Sequence, residues 1–330
     1  MNEVLEVGVI GLGVMGQRML ARLHGHARLR ATRVWDADPA AVARTCAAYP
    51  SLVAADSAAA LIATPGLATL YIATPPAAHL DLAHRAFDAG LAVLCEKPLT
   101  TDFAAAQVAL ARIEREEHRA AVNFSLASSP GLAALQAAVR QGPGGPLGTP
   151  LEARIELAFA AWPRPWQAAA GPWLSQRVEG GFTREVLSHF IFVLQRVLGP
   201  ARVRASAPAY PGDGIGAETA LEATLEAAGI PIAVDARIGG AVDDHNRLTL
   251  RGSAGAIELR EWFGVVQHPA GGAATSLGDA AELRSRGQSE QLMQWVALVE
   301  GRAHGLPGFA EALAVQQTIE ALLAGTAAAG

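Results

Sequence analysis

The chain has 330 residues, of which 51% are hydrophobic and 17% are charged, and its formal net charge is −5. This length allows two domains with separate cores, and the high apolar content excludes a disordered chain. A weakly acidic chain with no basic run argues against a nucleic-acid partner, and no uncharged segment is long enough to cross a bilayer.

The N-terminus and the cysteine content indicate the same compartment. The opening segment MNEVLEVGVIGLG carries acidic residues where a secretory signal peptide needs basic ones, so we expect it to belong to the folded protein. The two cysteines, Cys46 and Cys95, are too few for a disulfide framework, and both lie in segments predicted to be buried. These features indicate a reducing environment, and we expect the protein to be cytoplasmic.

The first part of the chain alternates strands and helices. The predicted strands are, in order, EVGVIGLG, RATRVWDADP, ATLYIATPP, LAVLCEKP and AAVNFSL. The predicted helices between them are VMGQRMLARLHGH, AAVARTCAA, HLDLAHRAFDAG and TTDFAAAQVALARIEREEH. Near-continuous apolar strands that alternate with helices indicate a parallel sheet covered on both faces. We assign this α/β domain to residues 1–122.

Residues 123–330 follow a different pattern, which includes the breaker-rich turn GPGGPLGTP. Strands of alternating polarity are predicted at LEARIELAF, AETALEATLEA, IPIAVDARIG, NRLTLRGSAGAIELR and EWFGVVQH, with a helix at FTREVLSHFIFVLQRVLG. This alternation indicates an antiparallel sheet with one wet face and a helix on the other. We expect residues 270–289 to form a mobile loop, and the last helix, at about 308–325, could pack back on the first domain.

The turn after the first strand reads GVIGLGVMG and combines three glycines with a helix start. Glycine at these positions permits a tight turn and lets the backbone approach a pyrophosphate, which then rests on the N-terminus of the following helix. The predicted dinucleotide-binding residues of this turn are Gly11, Gly13, Val14, Met15 and Gly16. The alternative is a glycine turn in a domain of this kind that binds nothing.

Asp36 adds specificity to the glycine turn. It follows Gly16 by twenty residues, at the end of the second predicted strand, where a carboxylate can accept hydrogen bonds from both ribose hydroxyls. Its charge would repel a 2′-phosphate, and the three residues after it offer no cation to receive one, which favours NAD as the cofactor. Arg33 or Arg44 could still reach the site, so NADP is not excluded.

Five segments stand in an order that is typical of one enzyme family. They are GVIGLGVMG, LYIATPPAAH, AGLAVLCEKPL, GGFTREVLSHF and, more loosely, FAEALAVQQTIEALLAG. Through them nearly the whole chain resembles the Gfo/Idh/MocA family, which includes glucose–fructose oxidoreductase and inositol dehydrogenase. The resemblance implies an N-terminal Rossmann domain with a doubly wound parallel sheet. It also implies a C-terminal α+β domain with an open, mainly antiparallel sheet, and an active site in the cleft between the two.

Lys97, within Glu-Lys-Pro, is the residue to which the resemblance assigns the chemistry, because the family lysine lies beside the nicotinamide ring and the substrate hydroxyl. Strand C-termini in a doubly wound sheet point into the ligand crevice, which is where the sequence positions Lys97. The alternative is an exposed lysine at a strand end. Glu96 would position the lysine or contact the cofactor, and the resemblance implies a cis peptide bond between Lys97 and Pro98.

The preceding predicted strand ends at the same edge of the sheet. Thr74 and Pro75 lie in a stiff loop that would flank the nicotinamide, so both are candidate cofactor contacts. His79 opens the next predicted helix. It either contacts the cofactor or serves only as a residue of the N-terminal turn.

The second-domain helix GGFTREVLSHFIF departs from the family pattern of Asp, Gly, His and Asp after a glycine pair. These four positions hold Glu185, Leu187, His189 and Phe192. Glu185 and His189 are four residues apart, hence on one face of an α-helix, where an acid and an imidazole can bind a substrate hydroxyl and relay its proton. The alternative is a helix salt bridge with a core histidine. The departures predict a smaller or reshaped pocket.

Two further residues are candidates for substrate contact. Asn123 ends the fifth predicted strand, and the following NFSLASSP lacks an arginine that many relatives have there, which argues against an anionic substrate. Arg164 would line the cleft with Trp162 or Trp166, unless this loop packs at a subunit interface. No cluster of histidine and cysteine has metal-ligand spacing, so no metal is expected.

Together these residues and the resemblance predict an NAD(P)-dependent dehydrogenase or reductase that acts on CH–OH groups. It would transfer a hydride between nicotinamide and a carbon of a sugar, polyol or related small metabolite. Lys97 would be the general acid or base, with His189 and Glu185 orienting the hydroxyl. The alternatives are an NAD-dependent glycoside hydrolase of the same fold and a non-catalytic NAD-binding sensor. The resemblance also implies a homodimer or homotetramer.

Overall fold

A computed structural model describes residues 3–242 and 244–326 of the chain. It divides into two compact units, of which the first runs up to Phe124 and also includes Gln291–Leu313. The second unit consists of Ser125–Glu290 and the residues from Ala314 on. The sequence indicates a return to the first unit for the last helix, at about 308–325. The segment that returns is instead Gln291–Leu313, and the last helix belongs to the second unit from Ala314 on. The predicted domain boundary after residue 122 stays a prediction.

The first unit contains a parallel sheet, as predicted, but it has six strands where the sequence indicated five. Its strands are β1 (Leu5–Ile10), β2 (Leu29–Trp35), β3 (Val53–Ala54), β4 (Leu67–Ile72), β5 (Ala92–Glu96) and β6 (Ala120–Asn123). Its helices are α1 (Val14–Leu23), α2 (Pro39–Ala48), α3 (Ala58–Ile62), α4 (His79–Asp88) and α5 (Phe103–Glu116). The strand order β3-β2-β1-β4-β5-β6 is that of a doubly wound sheet, in which the chain reverses its direction of travel between β1 and β4.

Burial explains why helices cover both faces of this sheet. The last four residues of β1 and of β4 and all five of β5 are buried, so each strand needs an apolar partner on either side. Three of the covering helices begin at a residue whose side chain accepts a hydrogen bond from the first turn, namely Asp38, Ser57 and Asp102. Such a cap stabilises a helix by about 1 kcal/mol.

The second unit contains a mainly antiparallel sheet of eight strands, which confirms the predicted fold class. Its strands are β7 (Pro150–Phe159), β8 (Ala201–Ala209), β9 (Ala220–Ala227), β10 (Ile230–Ile238), β11 (His245–Gly252), β12 (Gly255–Arg260), β13 (Gly264–Pro269) and β14 (Thr275–Ser276). Their order is β14-β13-β12-β11-β7-β10-β9-β8. Within it β7 and β10 run parallel, and the other paired strands are antiparallel.

One face of this sheet is apolar and the other is wet. In β7, Ala153 and Ile155 are buried, while Arg154 between them is exposed and pairs with Glu156 and Asp235. The helices of the second unit include α6 (Pro130–Gln141) and α7 (Ser188–Leu198), and α7 is buried along most of its length. Two helices follow the sheet in the chain, α8 (Ala280–Val299) and α9 (Phe309–Ala324).

The prediction of a mobile loop at residues 270–289 is wrong. This stretch contains β14 and the first half of α8. Its glycine, alanine and serine content resembles that of a loop, but a capped helix begins within it. The Asp279 carboxylate accepts hydrogen bonds from the N–H groups of Ala281 at 2.9 Å and Glu282 at 3.1 Å. Across residues 3–242 and 244–326, no helix combines the length and the apolar character that crossing a membrane requires.

Candidate functional site

The glycine turn between β1 and α1 contains two glycines that the fold itself requires. Gly11 has φ +94°, and a Cβ there would lie 2.4 Å from the carbonyl carbon of Ala73. A Cβ on Gly16 would lie 2.0 Å from the carbonyl oxygen of Gly11. Because the neighbouring atoms belong to the backbone, they cannot move aside cheaply. Glycine at these two positions is therefore explained without any ligand.

Gly13 is different, because the fold does not need it. Its φ of −70° and ψ of −162° are open to any residue, it is exposed, and a Cβ there would meet no atom within 4 Å. Val14 and Met15 open α1 directly after it, and the first turn of α1 has no side-chain cap and no acid. The open space and the uncapped backbone N–H groups fit the pyrophosphate of a dinucleotide, which approaches a helix start through such a glycine.

Asp36 lies against the same turn. Its Oδ2 accepts a hydrogen bond from the N–H of Leu12 at 2.6 Å, and its Oδ1 accepts one from the N–H of Asp38 at 2.8 Å. The carboxylate is thus fixed at the end of β2, and each oxygen keeps a lone pair for a further donor. Arg44 pairs with Asp38 at 3.4 Å, and Arg33 donates to the carbonyl oxygen of Thr32 at 3.1 Å.

Glu96 and Lys97 differ sharply in exposure at the end of β5. Lys97 is partly buried, whereas Glu96 is only 4% exposed and directs its carboxylate into a hydrogen-bonded group of buried side chains. Its Oε1 accepts hydrogen bonds from the Tyr71 hydroxyl and, at 2.6 Å, from Nδ2 of Asn123. The bond between Lys97 and Pro98 is cis, which confirms the prediction.

The buried group continues across the unit from Asn123 to α1. The Nδ2 of Asn123 also donates to the Tyr71 hydroxyl at 3.2 Å, and its Oδ1 accepts from Nε2 of Gln291. Gln291 in turn accepts from Nη1 of Arg22 at 3.1 Å. Both hydrogens of the Asn123 amide are therefore used within the protein. The predicted contacts of Asn123 with substrate and of Glu96 with the cofactor stay predictions, while their observed partners are each other.

The charge state of this group follows from its burial. Burial raises the pKa of Glu96, and the hydrogen bonds from Tyr71 and Asn123 act in the opposite direction. The pKa of the Tyr71 hydroxyl lies well above its ordinary value, first because of burial and then because of the Glu96 charge. Tyr71 consequently remains a hydrogen-bond donor across the ordinary pH range.

His79 ties together the two loops that follow β4 and β5. Its ring is buried, with Nδ1 at 3.0 Å from the carbonyl oxygen of Pro98 and Nε2 at 2.8 Å from that of Thr74. Burial lowers the pKa of His79, and the hydrogen bonds to the carbonyl oxygens oppose that shift. Contacts of Thr74, Pro75 and His79 with the cofactor stay predictions. The observed role of His79 is to join the Thr74 loop to the loop that carries Lys97.

In the second unit, the helix with the predicted Glu185 and His189 begins irregularly. Residues Thr183–Leu187 form a π-helical turn, in which the N–H of Ser188 donates to the carbonyl oxygen of Thr183, and α7 follows. The expectation that Glu185 and His189 share a face assumes a regular α-helix. A hydrogen bond in a π turn spans five residues instead of four, and Glu185 lies in this turn whereas His189 lies in α7. Glu185 is partly exposed and His189 is 4% exposed.

Two charged residues that the sequence analysis missed fix the start of this helix. Glu218 is buried, and its Oε1 accepts a hydrogen bond from the N–H of Thr183 at 2.7 Å. A Cβ on Gly181 would lie 2.2 Å from Glu218 Oε2, so the glycine makes room for the carboxylate. Arg184 donates to the carbonyl oxygen of Gly180 at 2.9 Å and forms a two-pronged ion pair with Glu320 at 2.6 and 2.7 Å.

The remaining departures from the family pattern are core residues, because Leu187 and Phe192 are fully buried. Arg164 is also buried, at 4% exposure, and its side chain is used within the second unit. Its Nη1 donates to Asp244, its Nε donates to Gln167 at 3.0 Å, and its guanidinium lies 4.6 Å from the centre of the Trp166 ring. Substrate contact by Arg164 stays a prediction.

Within each unit the structure brings some predicted residues together. The first unit joins Asp36 to the glycine turn, Glu96 to Asn123, and His79 to the loop of Lys97. Tyr71, Gln291 and Glu218 were not predicted, although polar residues inside apolar segments were a usable signal for them. In the part of the chain that the structure describes, no three His, Cys, Asp or Glu side chains form a group that could hold a metal.

The strand order, the glycine turn and the acid at the end of β2 define the first unit as a dinucleotide-binding Rossmann domain. Residues 5–124 match the family model GFO_IDH_MocA, described as an oxidoreductase family with an NAD-binding Rossmann fold. This segment is therefore similar to the Gfo/Idh/MocA oxidoreductases, and the match covers the first unit up to Phe124.

Curated relatives match over part of their length only. The inositol 2-dehydrogenase of Arthrobacter sp. (strain FB24) is 36% identical over 106 residues, which are 31% of this chain and 31% of that protein. The inositol 2-dehydrogenase of Rhizobium meliloti (strain 1021) is 30% identical over 135 residues, which are 41% of this chain and 40% of that protein. The matched part thus spans less than half of either relative.

Solved structures share the fold over nearly the whole chain. An oxidoreductase from Agrobacterium radiobacter, in complex with NAD+, L-tartaric acid and magnesium, has a TM-score of 0.82 at 17% identity and covers 96% of this chain and 94% of its own. A mutant of a 3-ketoreductase from Actinomadura kijaniata, in complex with TDP-benzene and NADP, has a TM-score of 0.77 at 18% identity and covers 98% of both chains. At these identities the likeness establishes the fold.

The glycine turn yields a test that separates ligand binding from folding. We expect Gly13→Ala to leave the melting temperature within about 2 °C of wild type, because its Cβ meets nothing, and to weaken NAD binding at least tenfold. Isothermal titration with NAD and thermal unfolding of the same samples measure the two quantities.

Gly16→Ala is the matched control. Its Cβ collides with the backbone, so the free energy of unfolding should fall by about 1–3 kcal/mol or more. Unchanged NAD affinity in a folded Gly13→Ala protein would contradict the assignment of this turn to a pyrophosphate.

Glu218 yields a prediction for pH dependence. Burial raises the pKa of Glu218 in the folded protein, so the folded state binds its proton more tightly than the unfolded state does. The wild type therefore loses stability as the pH rises through that folded pKa, and Glu218→Gln has no such loss. At each pH we compare the melting temperature of Glu218→Gln with that of wild type. We expect the difference, variant minus wild type, to be larger at pH 8 than at pH 5.

Glu218→Ala should instead be less stable at every pH in that range, by about 1–3 kcal/mol, because the buried N–H of Thr183 loses its acceptor. A pH-independent difference between wild type and Glu218→Gln would show that this carboxylate does not titrate as its burial requires.

Proposed function

We propose that this protein is an NAD-dependent oxidoreductase that interconverts an alcohol and a carbonyl group of a sugar, polyol or related small metabolite. The observation that carries the proposal is Gly13, whose missing side chain leaves room that the fold does not use, at the start of a helix and beside a fixed acid. A dinucleotide is the ligand that such a turn accommodates. A bound nicotinamide supplies the hydride chemistry by accepting or returning a hydride.

The relatives support this substrate class. The curated matches are inositol 2-dehydrogenases, which act on a polyol, and the solved neighbours include a ketoreductase bound to NADP. The reshaped pocket that the departures at Leu187 and Phe192 predict stays a proposal, because both side chains lie in the core. We therefore propose a polyol or sugar as the substrate class without assigning one compound.

Lys97 is the proposed general acid–base group. It follows β5, whose end carries the buried carboxylate of Glu96, and the next residue is held through the Pro98 carbonyl oxygen by His79. The residues on both sides of Lys97 are thereby held by hydrogen bonds. The Lys97 amine would take the hydroxyl proton as the alcohol carbon is oxidised and return it in the reverse reaction.

The second unit would contribute the groups that orient the hydroxyl. Glu185 and His189 are proposed to hydrogen-bond the substrate, and the glycine pair with Glu218 and Arg184 fixes the start of their helix. Asn123 and Arg164 remain proposed substrate contacts of lower rank, because both make several hydrogen bonds within the protein. Lining a pocket does not require either side chain to give up these bonds.

We also infer the setting of the protein. Cys46 and Cys95 are free, which supports a reducing, cytoplasmic compartment. The family resemblance supports a homodimer or homotetramer. Size-exclusion chromatography with light scattering would measure the mass of the assembly directly.

Turnover is the test of the proposal. NADH formation should be followed with NAD across inositols, aldoses, polyols and hydroxy acids, and repeated with Lys97→Met. We expect wild-type turnover on at least one polyol or sugar, and a fall in kcat of about 10²–10⁴-fold in Lys97→Met, because the general acid–base group is lost. The NAD dissociation constant should stay within about twofold of wild type.

Lys97→Arg is the matched control, since it keeps the positive charge and cannot release a proton. It should be as slow as Lys97→Met. Full activity in either variant would overturn the role of Lys97. If no compound of the panel is turned over although NAD still binds, the glycoside hydrolase or the sensor is favoured.

Cofactor preference is tested at Asp36. Asp36→Asn keeps an oxygen for the N–H of Leu12 but removes the charge that would repel a 2′-phosphate. Like charges about 4 Å apart near a protein surface repel by up to about 4 kcal/mol. We therefore expect the ratio of kcat/KM for NAD to that for NADP to fall at least tenfold.

Asp38→Asn is the neighbouring control, because it removes a similar charge from the start of α2. In Asp38→Asn the ratio of kcat/KM for NAD to that for NADP should stay within about threefold of the wild-type ratio. A ratio that is equal in Asp36→Asn and wild type would show that Asp36 does not set the preference.

A further inference from the structure

The turn between β12 and β13 has a backbone conformation that its residues rarely adopt. Glu261 has φ +45° and Trp262 has φ +72°, both in the left-handed region. Glycine or asparagine normally occupies such positions, because the Cβ of a bulky residue there comes too close to the following carbonyl oxygen. A tryptophan in this conformation persists only where the surrounding structure holds it, and such outliers cluster at functional sites.

Buried polar groups hold the Trp262 turn. Asn246 is fully buried, and its Oδ1 accepts the backbone N–H of Trp262 at 2.7 Å, while its carbonyl oxygen accepts that of Glu261 at 2.9 Å. The indole Nε1–H donates to Asp244 Oδ2 at 3.2 Å, and Asn246 Nδ2 donates to Asp244 Oδ1, also at 3.2 Å. Both the backbone and the ring of Trp262 are thus fixed.

Arg164 anchors Asp244 from the other side. Its Nη1 donates to the same Oδ2 atom that accepts the indole N–H. The guanidinium is buried and is itself held by Gln167. This places Arg164 in a structural chain of contacts that ends at Trp262.

Trp262 contacts the helix of the proposed substrate-orienting residues. Its ring lies 5.3 Å from the His189 ring, centre to centre, at an interplanar angle of 77°, and 5.6 Å from the Phe190 ring. An edge-to-face contact of this kind restricts the rotation of an imidazole ring and favours one orientation. The strained turn therefore places a rigid aromatic ring in contact with His189.

We propose that Trp262 is a positioning residue for His189, and that Arg164, Asp244 and Asn246 act through it. The inference rests on the proposed function, in which His189 orients the substrate hydroxyl. A residue needed only to fill space would not require a left-handed backbone held by the buried Asn246 and an indole held by Asp244. A ring that must meet the imidazole edge-to-face does require it, because the orientation depends on the direction in which the turn projects the side chain.

The test uses protein with histidine labelled with carbon-13 at the ring Cε1 atom, and the variants Trp262→Met and Trp262→Phe. His189→Gln identifies the His189 resonance by its loss. Relaxation of that resonance reports the mobility of the His189 ring, and kcat, KM and the NAD dissociation constant are measured on the same samples. Phe263→Met, in the same turn, is the matched control.

We expect Trp262→Met to mobilise the His189 ring and to lower kcat about tenfold or more, because small misplacements of an orienting group are costly. The NAD dissociation constant should stay within twofold. Trp262→Phe keeps an aromatic ring and should restore an ordered His189 and most of kcat. Phe263→Met should match wild type in both readouts.

A His189 ring as ordered in Trp262→Met as in wild type would overturn the proposal, as would an equal loss of kcat in Phe263→Met. If wild type turns over no alcohol, the proposed function has failed, and the relaxation data alone decide on Trp262. If Trp262→Met does not fold, Asp244→Asn takes its place, and an ordered His189 in that variant would equally overturn the proposal.

Discussion

The carboxylate of Glu96 is the group on which the arrangement of the first unit depends. Taking a charge out of water costs several kcal/mol, so a buried carboxylate persists only where donors converge on it. The donors here are Tyr71 from β4 and Asn123 from β6, and Asn123 is held in turn by Gln291 of α8. The ends of three strands are thereby joined at a single oxygen atom, and α8 is attached to them through Asn123.

This constraint explains why an acid, a lysine and a proline stand together at the end of a buried strand. Glu96 anchors the strand inwards, and the carbonyl oxygen of Pro98 is held by His79. Lys97 lies between the two anchors and is the least buried of the three. The second unit repeats the principle, because the buried Glu218 and Arg184 fix the turn before the partly exposed Glu185. In both units a side chain with a proposed function depends on a supporting set of buried polar partners.

The sequence predicts what local chemistry determines. Apolar runs, glycine turns and alternation gave the two sheets, and the cis Lys97–Pro98 bond followed from the resemblance. The helix within 270–289 was missed because its composition resembles a loop, although Asp279 marks its start. The π turn at 183–187 was missed because the sequence gives the spacing between Glu185 and His189 but not the hydrogen-bond pattern that distinguishes a π turn from an α-helix.

The supporting partners were missed for a different reason. Gln291 lies 168 positions from Asn123, and Asp244 lies 80 positions from Arg164. One sequence shows which residues are polar, but it does not show which distant polar residue will satisfy another. The candidate functional residues were therefore easier to find than the groups that hold them.

Gly13 has a consequence for how this protein could change over time. At Gly11 and Gly16 a substitution that alters the turn also strains the fold, because the added Cβ would lie against backbone atoms. At Gly13 the two are uncoupled, because an added methyl group meets no protein atom. A single alanine there would leave an intact, abundant protein with an empty nucleotide site. The residue at this position is thus a simple diagnostic for chains of this architecture that have given up cofactor chemistry and kept the scaffold.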